Sequence, residues 1–369
     1  MSGATQDPLD PVAEAEKVEK YSYLLPFASP LMIAKIASGV PGGTGGTALS
    51  PDPRAAALRA PDWPALAPAA ARDRAIGCFL GLAVGDAIGG AVEFKPRDSF
   101  PPVTDMAGGG PFSLAPGEWT DDTTMALCLA QSLLECGTVD QDDLMTRFRG
   151  WLERGENTVR GTCFDIGATT RAAIQSYVAT GFAAAGSEEG NTAGNGSLVR
   201  LAPLAIFAAG NREGAEFLAQ KQSRTTHGAW ECLDACKLFI SQLLDALSGA
   251  DKEGATRQRV MSLSSKLLFI SAGEWKHKTR EQIHSSGYVV HTLEAALWSV
   301  WQTDNFRDAV LLAANLGDNA DSAAAVAGQL AGALYGAKTI PSAWLRRLAW
   351  RDRIEKMAKA LFDRNRGAG

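Results

Sequence analysis

The chain has 369 residues, of which 46% are hydrophobic and 21% charged, with a formal net charge of −5. That apolar fraction excludes wholesale disorder. The acidic balance argues against nucleic-acid binding, which needs a concentrated basic surface.

The first 20 residues are rich in Asp, Glu and Lys where a secretory signal would be apolar, so a cytoplasmic protein is expected. Residues 21–40 (YSYLLPFASPLMIAKIASGV) are apolar and broken by Pro26 and Pro30, and a Gly/Pro/Ser/Thr stretch follows. Residues 1–70 therefore read as an extension with an apolar docking segment at about 19–40 and a flexible linker, ahead of one domain over 71–369. The run from Ile76 to Val92 is interrupted by Asp86 and carries five glycines, which predicts a buried helix of a non-membrane protein. From Ala71 onward apolar residues recur at helical spacing, as in TMALCLAQSLLE (124–135), LMTRFRGWLERG (144–155), ACKLFISQLLDAL (235–247) and TLEAALWSVWQ (292–302). Alternating strand patterns are almost absent, so the domain is expected to be all-α. Six cysteines are scattered without a CxxC pair, which points to reduced thiols, and Cys232 and Cys236 share a helical face as core packing.

Gly77, Gly81, Gly85 and Gly89 fall every four residues, as do Gly328, Gly332 and Gly336. Glycine costs a helix about 1 kcal/mol per position, so a stripe of it marks two helices whose backbones approach closely at the centre of the bundle. Beside these helices lie three acidic segments. Asp86 and Glu93 are seven residues apart and are expected on one helical face. Thr120-Asp121-Asp122 and Asn319-Ala320-Asp321-Ser322 each open a helix. Taken singly, either opening is also ordinary capping. A carboxylate inside an apolar, glycine-striped helix is harder to dismiss, because burial is expensive unless it is paired or binds a metal. If the segments converge, oxygen ligands without a His/Cys pattern select Mg²⁺, Mn²⁺ or Ca²⁺ over zinc.

Seven segments in order, from about Arg74 to Arg347, resemble the ADP-ribosylglycohydrolase family: GCFLGLAVGDAIGGAVEF (77–94), GEWTDDTTMAL (117–127), FDIGATT (164–170), GNGSLVRLAPLA (194–205), SRTTHGAWECLDAC (223–236), SGYVVHTLEAALW (286–298) and NLGDNADSAAAVAGQLAGALYG (315–336). The resemblance implies a compact orthogonal multi-helix bundle with a binuclear Mg²⁺ centre (Mn²⁺ being the variant) on which the ribose hydroxyls of ADP-ribose lie. By position, Thr120, Asp121 and Asp122 match one ligand set, and Asn319, Asp321 and Ser322 the other. Glu93 matches a glutamate that closes over the site and Asp165 a substrate-facing proton shuttle. These two and Asp122 are the expected catalytic carboxylates. Asn195, Gly196 and Ser197 match the loop that meets the pyrophosphate, His227 a pocket-lining histidine and Tyr288 a ring that stacks on the ligand. His227 also has the reading of a core histidine, and Arg200 could face a phosphate or an internal salt bridge. His277, His284 and His291 show no metal-ligand spacing.

One position departs from the family pattern. Asn319 stands where a charged Asp is usual, which predicts weaker metal binding in this chain; Asp318 would point about 100° away on a helix. The expected function is removal of ADP-ribose from a mono-ADP-ribosylated protein side chain, arginine first. The alternative is an immunity protein that blocks an ADP-ribosyltransferase toxin through the N-terminal extension. A purely structural role, known among some relatives, is disfavoured by the retained oxygen ligands.

Overall fold

The computed structural model describes residues 66–366. The apolar docking segment and the linker expected within 1–65 lie outside the described residues. Among those described, fourteen helices follow one another: α1 (Pro68–Gly89), α2 (Asp121–Cys136), α3 (Gln141–Arg154), α4 (Ala168–Thr180), α5 (Ala202–Phe207), α6 (Arg212–Ser223), α7 (Trp230–Ser248), α8 (Lys252–Ala255), α9 (Ser265–Ala272), α10 (Val289–Trp301), α11 (Phe306–Ala314), α12 (Ala320–Tyr335), α13 (Ser342–Arg347) and α14 (Arg351–Arg366). Extended pairing among them is limited to isolated bridges such as Gly194 with Tyr288 and Ser187 with His227.

Local chemistry sets the helix ends. Pro68 opens α1, where its missing N–H costs nothing. Asp140 caps α3 by accepting from Asp143 N. Gly137, Gly155 and Gly249 close α2, α3 and α7 with positive φ. The four runs expected from periodicity fall in α2, α3, α7 and α10, those of α3 and α10 ending on the C-cap residues Gly155 and Gln302. None of the described helices is long and apolar enough to cross a membrane.

α1 and α12 form the centre. Every residue from Ala75 to Gly89 and from Ala320 to Leu334 is buried, so neither helix has a polar stripe. Their backbones touch along the glycine positions. A Cβ on Gly77, Gly81 or Gly85 would stand 2.4, 2.1 or 2.1 Å from the carbonyl oxygen of Gly332, Gly328 or Ala324. Gly89 meets the Cα of Asp321 itself.

Two expectations change. Gly336 does not continue the α12 stripe: it closes the helix at φ 84°, with the Asp73 carboxylate against it. Glu93 does not share a helical face with Asp86, because α1 stops at Gly89, where Gly90 N donates to Asp86 O. The chain then turns, and Phe94 takes φ 60°.

Candidate metal and substrate site

The acidic residues sit where α1, α2 and α12 converge. Thr120 is the N-cap of α2, so Asp121 and Asp122 occupy its first turn; Asn319 is the N-cap of α12, with Asp321 in its first turn. Two positive helix ends thus face the same point, which favours anionic side chains there. Glu93 arrives by a different device. Phe94 N donates to Asp318 O (2.7 Å) and Asp318 N donates to Lys95 O (2.8 Å), a reciprocal pair that ties the post-α1 turn to the start of α12. Both Phe94 and Asp318 sit in the left-handed region, as does Asp165 in the loop before α4. Backbone held in that sparsely populated region is characteristic of built sites.

The carboxylates form two overlapping groups. Ligand oxygens of Glu93, Asp165 and Asp321 lie within 4.8 Å of one another, and so do those of Asp121, Asp122 and Asp321, which makes Asp321 common to both. Among the described residues no ion pair involves any of these five. Burial, and then Asp321, pushes Glu93 up to about 11. Burial, and then the neighbouring carboxylates, likewise raises Asp165 to about 9 and lifts Asp121 and Asp122 well above the usual range. Glu93 Oε2, Asp122 Oδ2 and Asp165 Oδ2 are buried with no hydrogen-bond partner. Orphaned oxygens and uncompensated like charges are what a hard cation would satisfy, so the donor set fits a divalent metal. Ser322 is buried beside Asp122 and shares a hydrogen bond with it. Asp318 is exposed and outside both groups, consistent with its expected direction.

Asn319 takes a specific orientation. The Thr292 hydroxyl donates to Ser286 O (3.1 Å), a carbonyl that can only accept, so its lone pairs face the Asn195 amide at 2.9 Å. The Asn195 amide therefore donates to Thr292 and also to Asn319 Oδ1 (2.6 Å). That leaves the Asn319 amide nitrogen to donate to Asp321 Oδ1 at 3.2 Å. Asn319 thus lies at the site but presents N–H to it.

The expected substrate segments assemble beside this point. Asn195 N donates to Gly287 O and Val289 N to Ala193 O, which joins the 194–197 loop to the Tyr288 segment. Tyr288 is the N-cap of α10; Lys266 Nζ donates to its hydroxyl (2.9 Å) and lies over its ring. Ser197 is fully buried, and its hydroxyl bonds Ser223 Oγ at 2.8 Å, so this side chain faces inward. His227 is 2% exposed and packs beneath the loop: a Cβ on Gly196 would stand 2.8 Å from its ring. Burial, and then Arg200, lowers the His227 pKa to about 3, so the ring is neutral.

Arg200 adopts neither expected setting. It is fully buried, donates from Nε to Gln222 Oε1 (2.7 Å) and lies over the Phe148 ring at 4.7 Å. Gln222 in turn donates to Ser197 O, so Arg200 supports the loop from behind. Cys232 and Cys236 face the same loop, donating to Gly194 O and Ser197 Oγ. Sequence reasoning did not find the stacking of His284 on His291 (centroids 5.0 Å apart) beside Ser286 and Tyr288. Their seven-residue separation on either side of a turn leaves no periodic signal.

The sequence model of the ADP-ribosylglycohydrolase family matches residues 67–369. The ADP-ribosylarginine hydrolase Tri1 of Pseudomonas putida (strain GB-1) is 52% identical over 299 residues, 81% of this chain and 80% of its own length. The protein of the same name from Serratia proteamaculans (strain 568) is 48% identical over 82% of this chain and 84% of its own. A solved structure described as an ADP-ribosylglycohydrolase-related protein complex superposes with a TM-score of 0.72 at 43% identity, covering 80% of this chain and 99% of that one.

Proposed function

This chain belongs to the ADP-ribosylglycohydrolase family, whose named relatives are hydrolases of ADP-ribosylated protein side chains, and from that premise we propose that it removes ADP-ribose from modified arginine with the help of divalent cations. The observation that carries this reading is the pair of carboxylate groups sharing Asp321, with orphaned buried oxygens on Glu93, Asp122 and Asp165. The arginine linkage rests on the two relatives at 48–52% identity.

Thr120, Asp121, Asp122, Asp321 and Ser322 would hold the metal, with Glu93 closing over it; Mg²⁺ is the preferred ion, two in number, and Mn²⁺ a substitute. Bound there, such ions would neutralise the carboxylates and polarise oxygens of the ribose. In the reaction water adds at the anomeric carbon, and the bond to the guanidine nitrogen breaks with its electron pair leaving on nitrogen. That nitrogen takes up a proton, and Asp165 is the carboxyl assigned to carry it, at Oδ2. The 195–197 loop offers backbone to the pyrophosphate, and Tyr288 offers a ring to the ligand. His227 and Arg200 stiffen the loop from its buried side. Asn319 orients Asp321 through its amide N–H.

The test is release of free ADP-ribose from an ADP-ribosyl-arginine protein, with Mg²⁺ and with chelator, beside Asp321→Asn. Metal-dependent release that falls at least 100-fold in the variant is expected. Equal release with chelator would remove the cation from the account, and no release from arginine but release from serine would move the linkage.

A further inference from the structure

Asp86 belongs to neither carboxylate group, yet it is fully buried near the end of α1, beneath both. Its Oδ1 accepts from Thr120 N (2.9 Å) and Thr120 Oγ1 (2.8 Å). Its Oδ2 accepts from Thr123 N (2.9 Å) and Thr123 Oγ1 (2.6 Å). Each oxygen is therefore saturated by one amide and one hydroxyl, and no lone pair remains for a cation. One amide is that of the N-cap and the other lies in the first turn of α2, so one carboxylate spans the start of the helix that presents Asp121 and Asp122. The Thr120 hydroxyl also borders Asp165 and Asp321. It has a single proton, and Asp86 takes it. What Thr120 can show the other two carboxyl groups is then lone pairs, which attract a cation or a carboxyl proton and repel a bare carboxylate.

We propose that Asp86 is a positioning residue for cation binding: it withdraws the hydroxyl proton of Thr120 and clamps the first turn of α2, aiming the Thr120 lone pairs and the Asp121 and Asp122 carboxylates at one point. This rests on the divalent-cation reading above. The isosteric Asp86→Asn cannot do the same, because its amide nitrogen would face a backbone N–H that can only donate, and would turn the neighbouring hydroxyl into an acceptor.

The experiment is calorimetric titration of the metal-free full-length chain with Mn²⁺, with circular dichroism to establish that each variant is folded. Asp86→Asn is expected to weaken Mn²⁺ binding at least tenfold, and Thr120→Val similarly, while Thr120→Ser, which keeps the hydroxyl, stays within threefold of the parent. In a double-mutant cycle, Asp86→Asn is expected to weaken binding less in the Thr120→Val background than in the parent, since the Thr120 hydroxyl bond is common to both while the amide and Thr123 bonds of Asp86 are not. A purely structural role predicts independent, multiplying losses, and that outcome would overturn the proposal, as would parent-like affinity in Asp86→Asn. Should Asp86→Asn not fold, Asp86→Ala, which leaves room in place of a misplaced donor, takes its place in the titration and in the cycle, with the same losses expected and the same results overturning the proposal. A parent chain that binds no Mn²⁺ would sink the cation reading and this role together. A parent that binds, with Asp86→Asn binding equally, would sink the role alone.

Discussion

At the level of single residues, Asn319 and His227 carry the most testable consequences. Asn319, where the sequence resemblance leads one to expect a carboxylate, donates to Asp321. Replacing it with Asp would lose that donor and add another like charge. Asn319→Asp is expected to destabilise the metal-free protein by about 1–3 kcal/mol, and to gain more thermal stability from saturating Mg²⁺ than the parent does. Parallel melts with and without Mg²⁺ check both halves. His227 ordinarily titrates near 6.5 but is held at about 3 by burial and Arg200. Between those values the unfolded chain binds a proton that the native chain refuses, so this contribution is complete above about pH 6.5 and declines as pH falls. His227→Gln is expected to flatten the loss of melting temperature between pH 7 and pH 5. An unchanged slope would assign the acid sensitivity elsewhere. The neutrality of His227 was not legible in the sequence, because it follows from a glycine loop closing over the ring from a segment thirty residues upstream.

Among the elements, the pair α1 and α12 decides the architecture. Their apolar runs and four-residue glycine spacing were readable because they are local and periodic. The end of α1 was only partly readable: Gly89-Gly90 is a helix-stop signal, but the path beyond it depends on Phe94 N donating to Asp318 O and Asp318 N donating to Lys95 O, a contact from the far end of the sequence. The link from Asn195 to Asn319 is hidden for the same reason. Helix propensity alone favours alanine over glycine by about 1 kcal/mol, whereas a methyl on Gly81 or Gly328 would overlap a facing carbonyl at about 2 Å. Packing wins: Gly81→Ala and Gly328→Ala are each expected to destabilise by about 3 kcal/mol or more, above the usual range for an overpacked side chain because backbone is struck. Gly190→Ala, with open space around it, is expected to change stability by under about 0.5 kcal/mol. Urea titrations of the three variants provide the comparison.

For the molecule as a whole, five neighbouring carboxyl groups with no ion pair among the described residues leave the metal-free state to bury like charges or to take up protons in their place, as the raised values of Glu93 and Asp165 show. A cation at a hundred times its dissociation constant is expected to raise stability by about 2.7 kcal/mol, seen as a rise in melting temperature that chelator reverses. Asp122→Asn is expected to abolish that rise while leaving the metal-free protein as stable as the parent or more so. A large drop in metal-free stability would contradict the account of mutual repulsion. The glycine seam has one more consequence. Its rungs repeat every four residues and the last rung is Asp321 itself, against Gly89. A slip of one rung would let glycines meet again while carrying Asp321 about 6 Å along the axis, away from Glu93 and Asp122. The seam is a ruler with evenly spaced divisions, and the end stops at Gly336 against Asp73 and at Phe94 against Asp318 tell it where zero lies. Damage to those stops would yield a protein that keeps its helices and loses its calibration, inactive without being unfolded.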